Sequence, residues 1–162
     1  MPGNFLVLLQ YLEKLGNREF DQVRFVTAED AETRPKHAFF YKAVAKAATT
    51  RCILVDERDF KYRTQACRCG CKQEIKWKVQ AEVDVAIAVY LIDYALCSKV
   101  ESITLFAGDR DFYDAIMYVH SNLRRDVRIM GFDENTGARL KNIFNFIDVT
   151  QDLQRLHKER QQ

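Results

Sequence analysis

The fold of this chain is decided by residues 103–112, whose sequence is ITLFAGDRDF. An apolar run from Ile103 to Phe106 gives way to two small residues, two acids and then an amphipathic stretch. That order is typical of a buried strand, a tight turn and the start of a helix. It places Asp109 and Asp111 at the carboxyl end of a strand, where open α/β sheets build their sites. A simpler role for either acid is to cap the following helix.

A third acid lies upstream, at the start of a predicted helix. Residues 82–92, EVDVAIAVYLI, are apolar on almost every side, which predicts a buried helix with Asp84 in its first turn. The helix dipole stabilises a carboxylate at that position. Carboxylates brought together in a low-dielectric site repel one another unless a cation lies between them. Asp84, Asp109 and Asp111 are therefore candidate ligands of a metal ion.

Together the two motifs resemble the NYN (LabA-like) branch of the PIN-like nucleases. The resemblance rests on the helix start VDVAIA at 83–88 and the strand end GDRDF at 108–112, and it extends over nearly the whole chain. It implies a metal-dependent endoribonuclease in which Asp84, Asp109 and Asp111 are the catalytic residues and hold Mg²⁺ or Mn²⁺. Hard oxygen ligands select such ions. The ion lowers the pKa of a bound water and neutralises charge on the scissile phosphate, so no nucleophilic side chain is needed.

The resemblance also implies two polar contacts to the substrate. Asn4 would lie beside the metal or the phosphate. Arg110 stands between the two acids, where it would either contact phosphate or pair with the acids and reduce their charge. The sequence leaves these alternatives for Arg110 open.

Two features depart from the family pattern. Members usually begin with an apolar strand that ends in an acid, and this strand is central to the implied sheet. Here Gly3 and Asn4 resemble the end of that turn, and Met1 stands where the acid would be. Tyr90 occupies a position that often carries a further acid. We therefore expect either a closed sheet or one completed by a second copy or another protein, and the alternative function is a catalytically degenerate module that binds RNA or serves as a scaffold.

The rest of the chain alternates between segments of strand and helix character. This alternation predicts an α/β fold of three layers, with a mostly parallel sheet and helices on both faces, and the resemblance adds a PIN-like strand order. We expect one domain over residues 1–150 and a charged helix or tail over residues 151–162. The predicted strands are residues 22–27, 52–55, 103–106, 127–132 and 146–149, and the other predicted helices are residues 5–15, 36–48, 113–123 and 138–144. The three histidines have no motif around them and are expected at the surface.

Residues 56–78 are the least regular and the most basic part of the chain. Cationic and aromatic side chains mix there, which suits single-stranded nucleic acid because the first neutralise the backbone and the second stack on bases. A solvated loop whose aromatic side chains pack on the core fits the same pattern equally well. We predict that Lys72, Lys76, Trp77 and Lys78 contact single-stranded RNA.

The same loop carries cysteines at alternate positions, Cys67, Cys69 and Cys71. A structural zinc site needs four ligands, and the spacing differs from the usual Cys-x-x-Cys. The sequence therefore favours free thiols over a Zn²⁺ site. A zinc-dependent or redox regulator built on this loop is the weaker alternative.

Composition sets the remaining limits. The chain has 162 residues, of which 48% are hydrophobic and 30% charged, as expected for one globular domain. No apolar run is long enough to cross a membrane, and the first apolar stretch lacks the basic region of a signal peptide. The cysteine count of 5 is odd, which together with the lack of a secretion signal favours a reducing, cytoplasmic location. The net charge of +2 is compatible with a nucleic-acid partner without requiring one.

Overall fold

Helices and strands alternate along the chain. The computed structural model describes residues 5–30, 32–69, 71, 73–79, 82–142 and 145–159, with side chains described as far as residue 154. The elements are α1 (Phe5–Gly16), β1 (Val23–Glu29), α2 (Arg34–Ala48), β2 (Ile53–Asp59), β3 (Lys61–Ala66), β4 (Glu74–Val79), α3 (Val83–Leu96), β5 (Ser102–Phe106), α4 (Tyr113–Ser121), β6 (Asp126–Gly131), α5 (Ala138–Lys141), β7 (Phe146–Asp148) and α6 (Thr150–Glu159). Single 3₁₀ turns follow β5 and β6, at Arg110–Phe112 and Asp133–Asn135.

The strands form two parallel sheets and one antiparallel hairpin. β1 and β2 pair in parallel, with Val23 opposite Ile53. β5, β6 and β7 pair in parallel, with Ile103 opposite Val127 and Ile129 opposite Phe146. β3 and β4 form the hairpin. The predicted α/β class with parallel strands and intervening helices is confirmed.

The main core lies where α3 and α4 pack on the three-stranded sheet. Its completely buried side chains include Ile116 and Val119 of α4 and Ile129 of β6. Leu91 of α3 and Phe112 of the first 3₁₀ turn are also buried there. The turn that follows β5 is therefore held by the burial of Phe112, which fixes the position of the two acids beside it.

Helix α1 joins the two parallel sheets. Its residues Phe5 and Leu9 pack with the buried side chains of α2 and β2, whereas Leu12 packs against Met130 of β6. At the end of the helix Gly16 lies so close to this strand that a Cβ atom would stand 2.9 Å from the Met130 side chain. The atom that it would contact is the terminal methyl of Met130, so a larger residue at position 16 would require the methionine side chain to move.

Helix α3 makes the second bridge between the sheets. It packs on β5, and its Tyr94 hydroxyl accepts a hydrogen bond of 2.9 Å from Arg24 Nε of β1 and another from the side-chain amide of Gln22, just before β1. The Arg24 guanidinium lies 4.0 Å from the centre of the Tyr90 ring. A cation above an aromatic face is attracted to its π electrons. Thus α3 holds β1 near β5 although the two strands do not pair.

The expected single sheet is divided. In the described part of the chain, β1 pairs only with β2, and β5 pairs only with β6. No residue of β5 is buried and Phe106 is 45% exposed, while its neighbour β6 carries completely buried side chains. The sheet has therefore not closed across the position where the family resemblance expects a central strand.

The prediction of an irregular segment over residues 56–78 is wrong. β2 continues to Asp59, and β3 and β4 occupy most of the rest. Every residue of β3 is exposed, whereas β4 alternates Ile75, Trp77 and Val79 with charged residues, which is the period-two pattern of a strand. That pattern was the available sign of the hairpin, and β3 is stabilised by its pairing with β4.

None of the helices in the described residues combines the length and the apolar character that a membrane span requires.

Candidate functional site

Asp84 lies in the first turn of α3, as predicted. The inner face of this helix buries Val83 and Ala86, which leaves Asp84 on the exposed side. Partial burial, and then repulsion from Asp109 and Asp111, raise the pKa of Asp84. The helix start and the strand end therefore concentrate negative charge in one place.

Asp109 both follows β5 and caps the next turn. Its Oδ1 atom accepts a hydrogen bond of 3.0 Å from the Asp111 backbone amide, at the start of the 3₁₀ turn Arg110–Phe112. The capping role considered from the sequence is thus correct for Asp109. It uses one carboxylate oxygen, and both Asp109 and Asp111 remain exposed.

A shallow cleft of about 490 Å³ opens beside these acids. It is lined by Gly108, Asp109, Arg110, Asn135 and Gly137. The Gly137 amide donates a hydrogen bond of 3.1 Å to the Gly108 carbonyl, which brings the turn after β6 against the turn after β5. A Cβ atom on Gly108 would come within 2.8 Å of the Asn135 carbonyl, and one on Gly137 within 2.9 Å of Arg110. These close approaches shape the floor of the cleft.

The three carboxylates do not close around a common point. Among the described residues, the only group of three or more metal-ligating side chains with donor atoms all within 4.8 Å of one another consists of cysteines. The oxygens of Asp84, Asp109 and Asp111 are therefore more widely spread than that.

Arg110 lies exposed at the rim of the cleft. Within the described residues, no ion pair joins its guanidinium to Asp109 or Asp111. The alternative in which Arg110 pairs with these acids is therefore not seen in this structure, and its contact with phosphate stays a prediction. Asn4 and Lys72 lie outside the described residues.

The predicted RNA-binding residues divide between the two faces of the hairpin. In β4, Lys76 and Lys78 alternate with Trp77, so the lysines project from one face and Trp77 from the other. Lys76 Nζ lies 4.6 Å from the centre of the Tyr62 ring. Trp77, which is 39% exposed, stands directly opposite Arg63. The two faces therefore offer different surfaces to a ligand.

Lys78 ties the hairpin to the body of the protein. Its Nζ atom lies 2.6 Å from Asp30 Oδ2 and 2.6 Å from Glu32 Oε2. The hydrogen bond between Lys78 and Asp30 lowers the pKa of Asp30 and raises the pKa of Lys78. At the base of β3, Lys61 pairs with Glu82 at 2.6 Å. These ion pairs hold the hairpin against the loop after β1 and the start of α3.

A polar network that was not predicted from the sequence lies within β2. Tyr90 of α3 donates a hydrogen bond to Asp56 Oδ2, and Arg58 approaches the same oxygen to 2.7 Å. The Tyr90 hydrogen bond lowers the pKa of Asp56 despite partial burial. The sequence did contain a sign of this network. An apolar run is followed by Asp56, which is the same order of apolar run and acid that identified Asp109. Tyr90 therefore serves as a hydrogen-bond donor where the family pattern often has an acid.

A second polar cluster lies in the turn between β3 and β4. The sulfur atoms of Cys67, Cys69 and Cys71 all lie within 4.8 Å of one another, and those of Cys67 and Cys69 are 2.9 Å apart. Hydrogen bonds from Cys67 and Cys71 lower the pKa of Cys69 to about 7. The Cys67 amide donates a 2.7 Å hydrogen bond to the Gln73 carbonyl and closes the base of this turn.

Comparison with known proteins agrees with this fold. A family model described as the NYN domain matches residues 5–150. The chain is also similar to a crystal structure of a protein of unknown function from Vibrio parahaemolyticus, with a TM-score of 0.58 and 16% sequence identity. That match covers 92% of this chain and 80% of the other. A comparison with curated proteins found no significant match.

Proposed function

The chain belongs to the NYN domain family of PIN-like nucleases, and from that premise we propose that it is a metal-dependent endoribonuclease acting on single-stranded RNA. The catalytic residues of this proposal are Asp84, Asp109 and Asp111. The observation that carries it is the placement of three acids together, with Asp84 in the first turn of α3 and Asp109 and Asp111 directly after β5, near enough to add to the burial that raises the pKa of Asp84. A place where carboxylates repel one another is a place where a cation is bound favourably.

The donor set fits a hard divalent ion. Asp84, Asp109 and Asp111 offer only carboxylate oxygens, the ligands that Mg²⁺ and Mn²⁺ prefer. Asp109 keeps one oxygen beyond the one that caps the 3₁₀ turn. When bound, such an ion supplies a water of lowered pKa and neutralises charge on the phosphate.

The residues around the acids would bind and orient the substrate. Arg110 at the rim of the cleft can donate paired hydrogen bonds to phosphate oxygens, since its guanidinium is planar and permanently charged. Gly108 and Gly137 let the turns after β5 and β6 approach closely, since a Cβ atom on either glycine would collide with the opposite turn, and this approach positions Arg110. Asn4 is assigned a polar contact to the same phosphate.

We assign RNA binding outside the cleft to the β3–β4 hairpin. Trp77 and Arg63 stand opposite each other on one face, which offers a stacking surface and a cation to one strand of RNA. Lys72, Lys76 and Lys78 add positive charge, of which that on Lys78 is partly neutralised by its two acidic partners. All five cysteines are free, which suits a protein of the reducing cytoplasm.

We propose that a protein partner fills the gap between β1 and β5. β1 and β5 each have one edge without a ladder partner among the described residues, although α1 and α3 hold the two sheets together. An extended segment from a second copy or another protein would pair with both edges. Mass measurement in solution tests this assignment, since a strictly monomeric and active chain contradicts it.

A second candidate function is a catalytically degenerate module that binds RNA or acts as a scaffold. The observation that favours it is the Tyr90 side chain, which is engaged by Asp56 where the family resemblance expects an acid. Fewer acids retain a divalent ion less tightly. This candidate predicts RNA binding without cleavage.

A cleavage assay tests the main proposal. Single-stranded RNA is incubated with the native chain in Mn²⁺, in Mg²⁺ and in chelator, and with Asp109→Asn in Mn²⁺. Asparagine retains the capping oxygen but loses the charge, so cleavage should fall by at least about a hundredfold, the equivalent of roughly 3 kcal/mol of lost transition-state stabilisation.

The matched control is Asp93→Asn, the same change at an exposed acid on α3. It should cleave like the native chain. Equal cleavage by Asp109→Asn and the native chain, or cleavage that persists in chelator, rejects the metal-nuclease mechanism. RNA binding without any cleavage by the native chain supports the degenerate module.

A further inference from the structure

The turn between β3 and β4 gathers three thiols that the proposed nuclease site does not use. Cys67, Cys69 and Cys71 belong to one short segment, so their sulfurs meet without help from distant parts of the fold. The three sulfurs all lie within 4.8 Å of one another. The cluster lies at the exposed end of the hairpin.

The spacing of the sulfurs fits a single metal ion. A tetrahedral Zn²⁺ ion with Zn–S bonds of about 2.3 Å separates its sulfur ligands by roughly 3.8 Å. The separation of 2.9 Å between the Cys67 and Cys69 sulfurs needs only a small expansion to reach that value. It is also well beyond a disulfide bond of about 2.05 Å. The Cys67 and Cys69 sulfurs are thus farther apart than in a disulfide bond but close enough to share one metal ion.

We propose that Cys67, Cys69 and Cys71 bind one Zn²⁺ ion through three sulfur ligands, with the fourth coordination position open to water or to an external ligand. Among the described residues, no fourth cysteine, histidine or acid joins the cluster. Three protein ligands with one open position are characteristic of zinc sites that exchange or activate a ligand, whereas structural sites have four. The requirement for four ligands, which made zinc unfavourable from the sequence, applies only to the structural kind.

The surroundings suit such a site. Each thiol releases its proton to solvent when its sulfur binds the metal, so three ligands and Zn²⁺ together carry one negative charge. Arg68 lies exposed between the first two cysteines and partly offsets that charge. The hydrogen bond from the Cys67 amide to the Gln73 carbonyl joins the two ends of the segment that carries the three thiols.

Titration with Co²⁺ tests the metal site directly, because cobalt bound to thiolates absorbs strongly in the near ultraviolet. The reduced native chain should show this absorbance, saturate at one equivalent and lose the absorbance when Zn²⁺ is added. Cys69→Ser should bind Co²⁺ more weakly by at least about tenfold. Cys97→Ser, an exposed cysteine outside the hairpin, should bind like the native chain.

A second measurement needs no variant. Zn²⁺ should protect the three hairpin thiols from alkylation and leave Cys52 and Cys97 reactive, as read by mass spectrometry of the native chain. The proposal is overturned by any of three results: no thiolate absorbance, equal Co²⁺ binding by Cys69→Ser and the native chain, or equal alkylation of all five thiols with Zn²⁺ present. A disulfide within the cluster that forms while Zn²⁺ is present overturns it as well.

Discussion

The acids beside β5 and the thiols of the hairpin are two clusters of metal-ligating side chains built in opposite ways. Asp84 and Asp109 come from separate elements, α3 and the turn after β5, and their cluster stays open. Cys67, Cys69 and Cys71 come from one turn, and their sulfurs lie close together. Ligands supplied by one short segment can therefore come together locally, whereas the distances between ligands from distant segments depend on how the whole fold is completed.

The largest expected effect is that a substitution in one cluster weakens the binding of one metal ion and leaves the binding of the other almost unchanged. Asp84→Asn should weaken Mn²⁺ binding by at least about tenfold, because it removes a hard oxygen charge, and should change Co²⁺ binding at the thiols by less than about twofold. Cys69→Ser should weaken Co²⁺ binding at the thiols by at least about tenfold and should change Mn²⁺ binding by less than about twofold. Calorimetric titration of each variant with each ion measures both effects. If either substitution weakened the binding of both ions equally, the two clusters would not be independent metal sites.

A smaller effect, on the affinity for RNA, is expected when aromatic residues on the two faces of the hairpin are substituted. Trp77→Ala should weaken binding of single-stranded RNA by about fivefold, since it removes one stacking surface. Tyr62→Ala on the opposite face serves as the matched aromatic control and should change affinity by less than about twofold. Fluorescence anisotropy at two salt concentrations measures both, and affinity should fall with salt. Equal losses from both substitutions would contradict the assignment of RNA to the Trp77 face.

The smallest effect is on stability without metal. The pKa of Asp84 is raised above its ordinary value of 3.8, so the folded chain holds this proton more tightly than the unfolded chain. Stability is therefore lost as pH rises from 3.8 through the raised pKa, and at neutral pH the charged Asp84 is unfavourable. Asp84→Asn should raise the unfolding temperature by about 1–3 °C at neutral pH, and the difference should shrink as the pH falls.

Calorimetry or circular dichroism with and without Mn²⁺ measures this effect. The ion should stabilise the native chain and not Asp84→Asn, since only the native site gains from binding it. Asp93→Asn should match the native chain at every pH. A lower unfolding temperature for Asp84→Asn than for the native chain would show that repulsion among the acids is absent.

Much of the fold was predictable because its signals are local. The apolar run of β5 followed by Asp109, and the apolar helix that opens with Asp84, both have the predicted form. β4 was predictable in the same way, since Ile75, Trp77 and Val79 alternate with charged residues, but β3 was not, because it is exposed throughout and is stabilised by its pairing with β4. The division of the hairpin residues between two faces also depended on knowing that Lys76, Trp77 and Lys78 lie in a strand.

The sequence by itself determined the order of the elements and the positions of the acids at a strand end and a helix start, because hydrophobic periodicity and turn residues act over a few neighbouring positions. Only the tertiary structure decided which side chains meet. Tyr90 donates a hydrogen bond to Asp56, which precedes it in the chain by 34 positions. Lys78 forms an ion pair with Asp30, and β1 and β5 do not pair with each other in the described part of the chain. Such meetings depend on the packing of α1 and α3 across two sheets, and distances of that kind are not encoded in any one segment.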